Sequence, residues 1–113
     1  MKKVALVINS FEDIPNSKYQ KFKMLYDNKF DVICIDDEIN REKKLKGFHK
    51  ARIAANIVCS YDVIITYGES NVIDQMYDIV PKLNKVMDNF NSNSSRPKIT
   101  TLEFVLEYNK KVV

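Results

Sequence analysis

The chain is poor in the residues that build nucleotide loops and metal centres. Its 113 residues include two Gly, three Pro, two Cys, one His and no Trp. Gly47 and Gly68 lie far apart, so neither a GxGxxG loop nor a Walker loop can form, because both need clustered glycines. One His and two Cys fall short of a four-ligand zinc site made from one chain. No Ser-His-Asp arrangement is legible in sequence order, although triads are defined in space. No stretch approaches the roughly 18 apolar residues of a membrane span. The run Val4 to Ile8 after Met-Lys-Lys is too short for the apolar core of a signal peptide, and no cleavage-like site follows it. A soluble cytoplasmic protein without a membrane partner is expected, with Cys34 and Cys59 as free thiols.

What is present supports one domain over residues 1–113. Hydrophobic residues make up 45%, with six Phe and six Tyr, enough to bury a core. The net charge of +3 is unevenly spread. Arg41, Lys43, Lys44, Lys46, Lys50 and Arg52 stand against Glu42 alone within 41–52, so that segment carries +5 and the remainder −2. A local patch of this kind suits an anionic partner better than it suits a nucleic acid, which favours broadly basic surfaces. A solvated loop and helix start is the plain alternative.

Hydrophobic periodicity sets out the elements. Val4 to Asn9 reads as a buried strand. Phe22 to Tyr26 and Phe30 to Asp36 read as a hairpin around Asp27-Asn28-Lys29, since Asn tolerates the left-handed turn conformation. A helix over 17–27 is the alternative, because Tyr19, Phe22, Leu25 and Tyr26 also fit a helical stripe. Within 30–36, Val32, Cys34 and Asp36 share one face, and Ile33 and Ile35 the other. The charged segment 39–47 is expected as a loop. Phe48 to Ser60 reads as a helix with Ala51, Ala54, Ala55 and Val58 on one side and His49, Arg52, Asn56 and Ser60 on another. Asp62 to Thr66 is a second buried strand. Asn71 to Val80 is a helix that Pro81 should stop. Leu83 to Met87 is a candidate last strand, and 88–98 an exposed loop. Thr100 and Glu103 read as a capping box for a final helix, with Ile99 and Phe104 as its staple. The class is α/β. The first three strands are expected as antiparallel neighbours, and the later strand–helix–strand unit as parallel.

Several residues carry candidate chemistry. Asp36, Asp37 and Glu38 could hold Mg²⁺ for phosphoryl transfer, although a polar strand exit explains them as well. A receiver-type acidic pair is lacking, because the first strand ends in Asn9-Ser10. His49, in the basic segment, is a candidate metal ligand or anion partner. Cys59 is a weaker metal candidate, near a helix C-terminus where the dipole disfavours thiolate. Gly68-Glu69-Ser70 joins a strand end to a helix start, a place where α/β sheets bind ligands and helix amides favour anions.

The stretch from Phe48 to Gly68 resembles the dinitrogenase iron–molybdenum cofactor biosynthesis family, the NifX, NifY and NafY-core group also fused to NifB. The matching pieces are Ala51-Arg52-Ile53-Ala54, Asp62-Val63-Ile64-Ile65 and the turn at Gly68. The hairpin, the Leu83 to Met87 strand and the last helix follow the family's order. Residues 16–18, Asn-Ser-Lys, depart from its His-Phe-Gly segment, and Tyr67-Gly68 departs from its double glycine. The resemblance implies an RNase H-like three-layer domain: a mixed sheet of about five strands, led by an antiparallel hairpin, with about three helices. It also implies a non-catalytic carrier of an iron–sulfur cluster or iron–molybdenum cofactor precursor in nitrogen fixation, with metallocluster assembly proteins as partners. His49, Lys50, Arg52, Gly68 and Ser70 would bind the cofactor, and His49 and Cys59 would ligate its metal. A cofactor-free interaction module on the same fold is the second reading, and the divalent-metal phosphoryl enzyme or nuclease the third. A free strand edge offers a homodimer.

Overall fold

The computed structural model describes residues 2–45, 49–90 and 97–108, with the side chains of 87–90 left aside. Among the described residues four strands form one sheet: β1 (Val4–Ile8), β2 (Asp31–Cys34), β3 (Val63–Thr66) and β4 (Lys98–Thr101). Their spatial order is β2-β1-β3-β4, and every pairing is parallel. Five helices accompany them within the same residues: α1 (Asn16–Leu25), α2 (Ile35–Lys44), α3 (Lys50–Ser60), α4 (Asn71–Phe90) and α5 (Leu102–Glu107). A 3-10 turn spans Phe11–Asp13. The chain is α/β, as expected, but the mixed five-stranded sheet with a leading hairpin is not what forms. No helix among the described residues is long and apolar enough to cross a membrane.

The hairpin fails because its first half is helical. A period of two would put Met24 in the core beside Phe22 and Tyr26. Met24 is instead 78% exposed, while Phe22 and Tyr26 are buried, as helical spacing requires. Asp27 and Asn28 do adopt the left-handed conformation, with φ of 54° and 59°. They use it to end α1: Asn28 N–H donates to the Lys23 carbonyl at 2.9 Å. A crossover helix between β1 and β2 makes their parallel pairing possible.

Three further expectations are overturned. Within segment 39–47, of which 46 and 47 lie outside the described residues, the chain is not a loop, because α2 continues to Lys44. Its charges match the helix dipole, with Asp36, Asp37 and Glu38 in the first turn and Arg41, Lys43 and Lys44 in the last. Pro81 does not stop α4, which runs on through Leu83 to Met87, so no strand forms there. A proline inside a helix costs about 3 kcal/mol. Val80 and the partly buried Ile79 and Leu83 continue the stripe of Val72, Ile73 and Met76 into one core. Burying such side chains contributes about 1.5–3 kcal/mol each, enough to offset the proline. The last strand is therefore Lys98–Thr101, which takes the end of the expected loop 88–98; residues 91–96 lie outside the described residues. The cap moves by one residue as well. Thr101, not Thr100, accepts from Phe104 N–H through its Oγ1 at 3.2 Å.

Two cores flank the sheet, and strand alternation sorts residues between them. Ala5, Val7 and Ile64 join α2, α3 and α4 on one side. Leu6, Ile8, Val63 and Ile65 join α1 and α5 on the other. β2 follows the expected alternation, with Val32 and Cys34 on the α1/α5 side and Ile33 on the opposite one. β1 is fully buried from Ala5 to Ile8, as a central parallel strand covered on both faces must be. From β1 the chain first moves to one side (β2) and then crosses to the other (β3, β4). With right-handed crossovers, that reversal puts α1 on one face and α2 to α4 on the opposite one.

Candidate functional site

The reversal makes the carboxyl ends of β1 and β3 a topological switch point, where the diverging connections leave a crevice. A cleft of about 360 Å³ lies there, lined by Asn9, Ile35, Asp36, Ile39, Lys50 and the turn Glu69 to Val72. Three of the four strand ends contribute. Asn9 follows β1, Asp36 follows β2, and Glu69, Ser70 and Asn71 follow β3 and open α4.

Backbone and side-chain bonds fix the rim. Asn9 Nδ2 donates to the Glu69 carbonyl at 2.9 Å, and the Asn9 carbonyl accepts from Asp36 N–H at 3.1 Å. One residue thus fastens three strand ends together. Gly68 turns the chain with φ +85°, and a Cβ there would sit 3.5 Å from Asn9 Nδ2. The conformation, more than the space, calls for glycine. Ser70 Oγ accepts from Ile73 N–H at 3.0 Å and so caps α4. Below the rim, Thr66 Oγ1 donates to the Thr100 carbonyl at 3.3 Å. Its single hydrogen is then used, so the Tyr77 hydroxyl at 3.2 Å is the donor to Thr66.

Of the residues singled out in the sequence, Lys50 and Ser70 meet in this cleft, with Gly68 shaping its rim. Arg52 is directed elsewhere: its Nε stands 3.7 Å from Glu42 Oε2. Glu42 is almost fully buried and also faces Arg41 at 3.9 Å. Arg52 therefore serves the α2–α3 contact, while Arg41 pairs within α2 with Glu42 and Glu38. His49 is exposed and begins α3, where its carbonyl accepts from Arg52 and Ile53 N–H. Cys59 lies at the other end of α3, beside Lys3, Asp62, Leu83 and Pro97. At 1.5 Å per residue, about 15 Å separates His49 from Cys59, so they cannot ligate one ion. Cys34 and Cys59 are both free. Burial, with Asp37 and then Asp36 nearby, pushes the Cys34 thiol up, which keeps it protonated and unreactive. Asp36 lines the cleft, whereas Asp37 is exposed and does not. Among the described residues no group of three or more His, Cys, Asp or Glu could hold a metal ion.

The sequence missed Asn9 as a site residue. Its signal was present: a polar residue directly after the most apolar strand. Charge in the cleft is mixed, with Lys50 and the positive end of a 20-residue helix against Asp36 and Glu69. Compared with protein-family models, with curated proteins and with solved structures, the chain gives no match.

Proposed function

We propose that the chain is a non-catalytic, carrier-like domain that holds a small anionic ligand in the switch-point cleft. The observation that supports this reading is the convergence of Lys50, Ser70 and the amino end of α4 on one cavity. Helix-end amides and a lysine attract an anionic edge without supplying covalent ligands. The sequence resemblance suggests the cargo: an iron–sulfur cluster or an iron–molybdenum cofactor precursor. Such a cargo would bind by one edge at Lys50 and the amino end of α4, with Asp36 and Glu69 as opposing charges in the same cleft. It would be held by charge and shape, with an exposed His49 one residue from Lys50 as its nearest imidazole.

Anaerobic reconstitution tests this. The wild-type chain should take up iron and develop visible absorbance, and Lys50→Glu should weaken the affinity about tenfold, equivalent to ~1.4 kcal/mol. His49→Ala should reduce it less. Absence of iron and of visible absorbance in the wild type would sink the carrier reading and leave the cofactor-free interaction module in its place.

A further inference from the structure

The opposite face of the sheet carries a second feature. A groove of about 460 Å³ runs between α1 and α5, lined by Lys21, Met24, Leu25 and Leu106. Met24 is 78% exposed; Phe104 and Tyr108, elsewhere on α5 and its end, stack with ring centroids 5.0 Å apart and are about half exposed. Met24 and the half-buried Leu25 and Leu106 give the groove its apolar lining. The flanking charges are segregated. α1 carries Lys18, Lys21 and Lys23 and no acid, while α5 carries Glu103 and Glu107 and no base. Lys18 already reaches Glu103 at 3.9 Å within the chain, so the two helices attract where they meet.

We infer that this groove is a homodimer interface, occupied by the α1/α5 face of a second copy of the chain. The argument is charge complementarity. A partner of one sign would be repelled by one wall of the groove. A copy turned about a two-fold axis along the groove places its α5 over α1 and its α1 over α5. Both walls then face opposite charge, and Met24 meets apolar surface that its flexible side chain can fit. A two-fold axis across the groove would set lysines against lysines and is disfavoured. The interface lies on the face opposite α2, α3 and α4, so cleft occupancy and dimerisation can fail independently.

Sedimentation velocity over a concentration series of the full chain is the test. The wild type should pass from monomer to dimer with rising concentration, and Met24→Asp should remain monomeric. Lys21→Glu alone and Glu107→Lys alone should each weaken the dimer at least about tenfold, because each creates like-charge contacts at both ends. An equimolar mixture of those two variants should restore it, since both contacts then become attractive. All three positions are exposed, and circular dichroism melts confirm that the variants fold. A wild type that stays monomeric at millimolar concentration overturns the inference. So does a dimer indifferent to Met24→Asp, or a mixture that does not recover.

Discussion

The two faces of the sheet are covered by unequal means. On one, α2, α3 and the 20-residue α4 bury Ile53, Ala54, Ile57, Val58, Val72, Ile73 and Met76 in an aliphatic core. On the other, α1 of ten residues and α5 of six do the work. That thinner layer relies on aromatic rings. Phe22 is fully buried and packs on Tyr26 at 4.8 Å and Phe30 at 4.6 Å. Bulky rings cover more sheet per helical turn than aliphatic side chains, which is how two short helices suffice. The switch-point cleft opens on the thick face and the groove between α1 and α5 on the thin one, so each layer carries both a core and a cavity.

If the thin layer depends on its ring cluster, Phe22→Ala should cost about 3–5 kcal/mol. Met76→Ala, in the thick layer, should cost less, about 2–3 kcal/mol, because neighbouring aliphatic groups can close in. Urea denaturation of both variants reads the contrast, and equal losses would break it. Next in size is Pro81→Ala on the thick side. Pro81 is exposed within α4, so the variant should be more stable by about 1–3 kcal/mol, less than the full helix penalty because alanine also loosens the unfolded chain. An unchanged midpoint would mean that α4 has already adapted to the proline.

The smallest effect concerns the edge where the thick layer meets β2. The Tyr61 hydroxyl donates to Asp31 Oδ2 at 2.9 Å. Burial first, and then this bond, pushes its pKa up to about 12. The folded value lies above the unfolded value of about 10. The bond's contribution is therefore whole below pH 10 and fades as the pH rises through 10 towards 12. Tyr61→Phe should cost ~0.5–1 kcal/mol at pH 8, discounted for partial exposure. The gap between the two proteins should close between pH 10 and 12 in parallel melts. A gap independent of pH would assign the effect to packing.

What the sequence made legible follows from where the apolar signal was strong. β1 is an unbroken apolar run, β3 is one up to Thr66, and α3 shows clear helical spacing, so all three appear close to their expected bounds. The errors fall where two periods compete or the signal thins. Tyr19, Phe22 and Tyr26 fit a helix, and Phe22 and Tyr26 also fit a strand; only the exposure of Met24 decides. α2 buries little beyond Ile35, Ile39 and Glu42, and a carboxylate in the third place hides the stripe. Pro81 misled because its local cost was weighed without the burial that continues beyond it. The site was half legible for the same reason. Gly68 and Ser70 announce a strand–helix junction locally. The meeting of Asn9, Asp36 and Lys50 there depends on strand order, which only tertiary packing decides.

The all-parallel pairing also governs how the chain must assemble. Every strand partner comes from a distant segment: Ala5 lies beside Asp31, Val4 beside Val63, and Val63 beside Lys98. Even the bond that seats the amino end of β3, from Lys3 N–H to Asp62 Oδ2, closes over 59 residues. No local turn between adjacent strands can nucleate the described sheet, so folding awaits long loop closures and is slow for a domain of this size. During synthesis β1 emerges first with both edges unpaired, and one edge stays open until Thr66 has been made. A chain halted before that point presents a bare apolar strand to its neighbours, which makes the nascent form, more than the finished one, the aggregation-prone state.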